Sequence, residues 1–160
     1  MGKEVKVLQN LFNKIAYLIN MTSLVIDTSV AIKWLNQDNE DDIDKANLIL
    51  ENVREKQVEL LCPELLKYEI GNALLFGKKI DHEDIGALMK IFYSLPISFI
   101  TMSQDIANTT YSLAQTLKIT YYDASFLSIA EQYNAILVTE NIKHQGKSKR
   151  IQVISLKDYR

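Results

Sequence analysis

Cysteine, histidine and proline are scarce in this chain, with one Cys, two His and two Pro among 160 residues. A lone Cys62 builds no disulfide framework, which fits a reducing cytoplasm. One cysteine and two histidines argue against a Cys/His zinc centre, so any metal would be an oxygen-liganded hard cation such as Mg²⁺ or Mn²⁺. Long apolar runs are missing as well: no stretch approaches the roughly 20 residues that span a bilayer. Charges interrupt the apolar residues of the first 20 positions and no small-residue cleavage site follows them, unlike a secretory signal. Neither sign of charge dominates, and a formal net charge of −2 argues against gripping nucleic acid by bulk charge alone. There is no Gly-rich phosphate loop, no GxSxG and no Cys–His pair, which leaves nucleotide-triphosphate and covalent hydrolase chemistry unsupported. Internal repeats, low-complexity segments and Pro/Gly-rich linkers are absent too.

What is present is an ordinary globular composition, 48% hydrophobic and 24% charged, sized for one compact domain. The charges are unevenly spread. Asp38, Glu40, Asp41, Asp42 and Asp44 crowd one short stretch, whereas Asn141 to Arg160 carries six basic residues against the single acid Asp158. Residues 1–20 read as an N-terminal extension, with Val5, Leu8, Phe12, Ile15 and Ile19 at the 3-4-3-4 spacing of a narrow helical seam. The domain proper is expected over 21–160.

Leu24-Val25-Ile26-Asp27 reads as a buried strand, and Thr28 or Ser29 is expected to cap a short helix through Trp34-Leu35. Helices are expected from Ile43 to about Lys56, from Pro63 to Phe76, from Asp81 to Tyr93, from Ser103 to about Lys118, and from about Tyr122 to Tyr133. Strands are expected at Val58–Cys62, Ile97–Thr101, Ala135–Thr139 and Ile151–Ser155. Strands alternating with helices predict an α/β domain with a mainly parallel sheet.

Three carboxylates occupy positions that packing alone would fill with apolar groups. Asp27 directly follows Leu-Val-Ile, at the carboxyl end of the first strand, where open α/β sheets bind ligands; the plainer reading is a helix cap. Glu69 falls at about 40° in an apolar stripe spanning about 0° to 180° on its helix, formed by Leu65, Leu66, Ile70, Ala73 and Leu74. An internal ion pair with Lys or Arg would explain it; so would a metal or a solvent-filled cleft. Asp123 heads the face carrying Phe126, Leu127 and Ala130, and N-capping is its plainer reading. Together the three supply the oxygen ligands of a Mg²⁺ site, and their mutual repulsion argues for a bound cation. Such a metal polarises a phosphoryl oxygen and activates water.

The blocks Leu24-Val25-Ile26-Asp27-Thr28-Ser29-Val30, Tyr68-Glu69-Ile70-Gly71-Asn72-Ala73-Leu74, Tyr122-Asp123-Ala124-Ser125-Phe126-Leu127 and Leu137-Val138-Thr139, in this order, resemble the PIN domain family. The likeness runs from Leu24 to Tyr159 and is greatest to the single-domain VapC-type toxins of prokaryotic toxin–antitoxin pairs. It implies a three-layer α/β/α sandwich around a mainly parallel sheet, and a cytoplasmic Mg²⁺- or Mn²⁺-dependent endoribonuclease. It also implies a homodimer neutralised by a small antitoxin whose tail covers the active site. Carried over by motif, Asp27 and Asp123 are the principal metal ligands, Glu69 completes the acidic cluster, and Ser29 and Thr139 orient the ligands. RNA products would carry 5′-phosphate and 3′-hydroxyl ends.

One position departs from the family pattern. Where a fourth acid often stands, two residues after the strand-end threonine, this chain has Asn141, which supplies an oxygen but no charge; a second metal is thereby put in doubt. Glu140 is acidic but one residue off, a shift that turns a side chain away from the cleft. Beyond it, Lys143, Lys147, Lys149 and Arg150 are candidates for backbone phosphates or a solvated basic tail. Trp34, Tyr121 and Tyr122 are candidates for base stacking, or for core packing.

Two other readings start from the same residues. A PIN-like module could hold RNA or protein without cutting it, favoured by Asn141 and the negative net charge. A phosphotransfer enzyme of the haloacid dehalogenase type would need a second Asp where Ser29 stands. The receiver type would need an acidic pair before Asp27, and none is so placed.

Overall fold

The structure, a computed structural model, describes residues 6–8, 21–38, 40–76 and 82–160. The seam expected within 1–20 and the Asp81 cap lie outside the described residues, save for 6–8, which are helical. The chain runs β1 (Thr22–Ile26), α1 (Thr28–Ala31), a 3₁₀ turn (Ile32–Trp34), α2 (Ile43–Arg54), β2 (Val58–Pro63), α3 (Leu65–Phe76), α4 (His82–Ser94) and β3 (Ile97–Ile100). It continues through α5 (Gln104–Leu117), α6 (Tyr121–Gln132), β4 (Ile136–Thr139), α7 (Ile142–Gln145), β5 (Val153–Ser155) and a last 3₁₀ turn (Leu156–Asp158).

The five strands form one parallel sheet in the order β3-β2-β1-β4-β5. Each crossover contains helix, as parallel neighbours require. Helices cover the sheet, and the central strand is apolar without alternation because neither of its faces meets water: Leu24, Val25 and Ile26 are all buried. Phe92 of α4 meets Phe99 of β3 edge-on at 6.0 Å. Helix α6 is buried at every residue from Ala124 to Ala130. Its serines are accommodated by local bonds, Ser125 Oγ donating to the Tyr122 carbonyl and Ser128 Oγ to that of Ser125, with Thr110 Oγ1 of α5 2.7 Å from Ser128 Oγ. The α/β/α architecture expected from the sequence is the one observed.

Two boundaries differ from expectation. Pro63 closes β2, in register with Ile100, instead of opening the next helix. Its missing N–H matters little at a strand end, and the Glu64 N–H takes up the pairing instead, donating to the Ile100 carbonyl at 3.3 Å. Helix α1 is capped by Asp27 and not by Thr28 or Ser29. Elsewhere the shifts are a residue or two, as at β5, which starts at Val153. Among the described residues no helix is long and apolar enough to cross a membrane.

Strand order decides where a site can form. From β1 the chain moves outward through β2 to β3, then returns to place β4 on the other side of β1. The crossovers after β1 and β4 therefore depart in opposite directions, opening a crevice beyond the carboxyl ends of these two strands.

Candidate active site

Asp27 follows β1 at this crevice and is only 6% exposed. One carboxylate oxygen, Oδ1, caps α1 by accepting the backbone N–H groups of Ser29 at 3.0 Å and Val30 at 3.3 Å, together with the Ser29 hydroxyl at 2.5 Å. The other, Oδ2, accepts the Thr139 hydroxyl at 2.5 Å from the end of β4. Burial holds the Asp27 carboxyl above the usual carboxylate range, and the bonds from Ser29 and Thr139 pull it partly back.

Glu69 approaches from α3, where the Thr28 hydroxyl of α1 donates to its Oε2. Its carboxyl is raised as well, first by burial and then by the negative charges of Asp27 and Asp123. Glu69 is thus within electrostatic reach of the other two acids. Asp123 lies in the first turn of α6. It exchanges bonds with the N-cap Thr120: the Thr120 hydroxyl donates to Oδ2 at 2.8 Å and accepts the Asp123 N–H at 3.0 Å, a side-chain cap in which one hydroxyl serves both bonds. Its Oδ1 accepts from Asn141 Nδ2 at 3.2 Å.

The ion pairs seen among the described residues are Lys33–Glu40, Lys33–Glu140, Lys67–Glu64 and Arg150–Glu131. None involves Asp27, Glu69 or Asp123, so the internal ion pair considered for Glu69 is not what accommodates it. Among the described residues no three acidic, histidine or cysteine side chains are grouped closely enough to hold a metal as they stand. The chemistry of the donors still fits a hard cation. All are oxygens, and the negative charges of Asp27 and Asp123 raise the proton affinity of Glu69, a repulsion that a bound cation would relieve.

Glu140 does turn away from the crevice, its Oε1 standing 3.0 Å from the Lys33 ammonium. Cys62, in β2 beside this region, is an inert thiol: burial, with the charge of Asp27 adding to it, pushes its pKa up to about 12. Trp34 is a packing residue, its Nε1 donating to the Ala46 carbonyl at 2.9 Å, whereas Tyr121 and Tyr122 are exposed.

The basic residues spread away from the acids. Lys143 and Lys149 are exposed, while Lys147 Nζ donates to the Leu117 carbonyl at 3.4 Å. Arg150 pairs at 2.7 Å with Glu131, two turns or about 12 Å along α6 from Asp123. Lys147, Lys149 and Arg150 border a hollow of about 580 Å³ against α5.

Thr28, expected only as a helix cap, meets Glu69 instead, and Thr120 and Lys33 also support these surroundings. Thr120 was findable, because a threonine three residues before an acid at a helix start is a capping signal. Lys33 interrupts the apolar run Val30-Ala31-Ile32-Lys33-Trp34-Leu35, which in hindsight marks an enclosed charge. Nothing local pairs Thr28 with a glutamate 41 positions away.

The sequence profile of the PIN domain matches residues 24–148. The chain belongs to the PIN domain family. A search of curated protein sequences found no match. Solved structures similar to this PIN domain include VapBC2 of Rickettsia felis bound to a DNA fragment from its promoter, at 21% identity, TM-score 0.65, covering 84% of this chain and 98% of that one. VapBC-1 of nontypeable Haemophilus influenzae is similar at 21% identity and TM-score 0.60, over 86% of this chain and 100% of the other. The sarcin–ricin loop cleaving toxin VapC20 of Mycobacterium tuberculosis is 12% identical with TM-score 0.54, over 73% and 87%. At these identities the likeness is one of fold.

Proposed function

We propose that this PIN domain is a Mg²⁺- or Mn²⁺-dependent endoribonuclease, the toxin of a toxin–antitoxin pair. The observation that supports it most is the crevice itself: Glu69 feels the negative charges of Asp27 and Asp123, which come from two other elements, and among the described residues no ion pair neutralises any of the three. Asp27 and Asp123 are the residues that would hold the ion, and Glu69 completes the set. When bound, the metal supplies Lewis acidity toward a phosphodiester oxygen and charge for the developing oxyanion.

The remaining work falls to the chain. Ser29 and Thr139 aim Asp27 by donating to both of its oxygens, and Asn141 aims Asp123. Thr28 occupies Glu69 Oε2, leaving Oε1 to orient the attacking water. Lys143, Lys147, Lys149 and Arg150 bind phosphates along the RNA. The products carry 5′-phosphate and 3′-hydroxyl ends. A homodimer in the cytoplasm, silenced by a small antitoxin, completes the reading; the antitoxin is suggested by the similar VapBC structures.

The purified protein should cut RNA with Mg²⁺ or Mn²⁺ and stop on adding EDTA. Unaltered cleavage by an Asp27→Asn or Asp123→Asn variant would refute the assignment. Growth arrest on induction, relieved by a neighbouring small gene product, tests the toxin role. A module that binds RNA without cutting it is the second reading, favoured by Asn141 and by the absence of a ready three-ligand cage among the described residues. Multiple turnover at substoichiometric protein dismisses it.

A further inference from the structure

Lys33 is 1% exposed and ranks among the largest fully buried side chains of the described residues. Lysine is almost never enclosed unless paired, and here the ammonium has two carboxylates, Glu40 Oε2 at 2.6 Å and Glu140 Oε1 at 3.0 Å. Three segments therefore meet on one charge: the 3₁₀ turn after α1, the loop before α2, and the turn that leaves β4. Burial by itself would lower the lysine's proton affinity, but the bonds and charges of the two glutamates outweigh it and keep the ammonium charged.

The turn leaving β4 is where this pairing acts. The Glu140 N–H donates to Ser29 Oγ at 3.1 Å, and the Asn141 N–H donates to Thr139 Oγ1 at 2.8 Å. Each hydroxyl accepts a backbone hydrogen bond and so has its own proton free for Asp27, which both contact at 2.5 Å. The next side chain, Asn141, donates to Asp123. The backbone of residues 139–141 thus sets the orientation of two carboxylates at once, and Glu140 is the ion-paired side chain of that turn.

We infer that Lys33 is a positioning residue: acting through Glu140, it holds the 139–141 turn in the form that orients Asp27 and Asp123, and keeps the Glu140 carboxylate out of their cluster. Its effect on cleavage rests on the nuclease reading, whereas its effect on the turn does not. Supporting side chains of this kind are commonly worth 10–100-fold in metal affinity or activity.

The test compares wild type with Lys33→Met, Glu140→Ala and the double variant, each checked for folding by circular dichroism. The side-chain amide signal of Asn141, assigned by its loss in Asn141→Asp, is followed by ¹⁵N-edited NMR, and Mn²⁺ affinity by calorimetry. The expected result is a shifted Asn141 signal and roughly tenfold weaker Mn²⁺ binding in each single variant, with the double variant no worse than the weaker single. RNA cleavage should fall in kcat with KM little changed. Should Lys33→Met fail to fold, Glu140→Ala decides, because it leaves Lys33 paired with Glu40. Folded variants that keep both the Asn141 signal and the Mn²⁺ affinity of wild type overturn the inference. If wild type neither binds Mn²⁺ nor cuts RNA, the nuclease reading falls, and the Asn141 signal alone decides whether Lys33 holds the turn.

Discussion

Asp27 and Asp123 both stand at the start of a helix, yet they are held in different ways. Asp27 is buried and accepts from two hydroxyls and two backbone N–H groups, one of the hydroxyls 112 residues away in sequence. Asp123 is half-buried and exchanges its bonds with Thr120, three residues back, with a single distant donor in Asn141. One carboxylate caps its own helix through Oδ1 and is tied to the end of β4 through Oδ2; the other is less enclosed and has one hydroxyl from its helix cap and one amide from the turn after β4. Burial, and the number of donors that accompany it, is what separates the two acids.

The comparison can be broken most sharply at the acids themselves. Asp27→Asn and Asp123→Asn should each abolish metal-dependent RNA cleavage, with losses beyond the roughly 100-fold ceiling of supporting residues. Gel assays of cleavage over a Mn²⁺ series measure this. Equal cleavage in either variant would remove that carboxylate from the site.

A smaller effect separates the two modes of support. Thr139→Val is close in volume, but it strips Asp27 Oδ2 of its donor and leaves the Asn141 N–H, half-buried, without its partner. It should weaken Mn²⁺ binding by about 10–100-fold. Thr120→Val removes an exposed cap and should cost about 1 kcal/mol of stability, with a smaller loss of Mn²⁺ affinity than Thr139→Val. Calorimetry and thermal melts on both variants decide it; the reverse ranking would mean that Asp123 is the more tightly held acid.

The smallest expected effect lies in pH dependence without metal. The folded-state carboxyls of Asp27 and Glu69 are raised above their ordinary values of 3.8 and 4.5. The folded protein therefore binds more protons than the unfolded chain just above those values, and their contribution to stability falls as pH rises through that window. Asp27→Asn and Glu69→Gln should each flatten the decline of Tm with pH in EDTA. Adding Mn²⁺ at 100 times its Kd should restore about 2.7 kcal/mol at neutral pH. A Tm–pH curve unchanged by either substitution would show that these carboxyls are not destabilised by enclosure.

Much of this molecule was legible beforehand, and unevenly so. The unbroken apolar run of β1 announced a strand covered on both faces. The position of Asp123 at the head of an apolar face announced the start of α6. Pro63 misled because its fixed φ suits a first helical turn as well as a strand end, and only the pairing of β2 with β3 selects the latter. Within the basic stretch, the pairing of Arg150 with Glu131 was not legible, because it joins residues on separate elements.

By itself, the order of apolar runs, turn signals and misplaced acids was enough to settle the fold class and to single out Asp27, Glu69 and Asp123, because burial periodicity is a local property of the chain. Which hydroxyl meets which carboxylate was decided only by the tertiary structure. Thr28 with Glu69, Thr139 with Asp27 and Lys33 with Glu140 are all pairings between elements far apart in the chain. They depend on strand order and on the direction of each crossover, to which a pattern read along one helix or strand is blind.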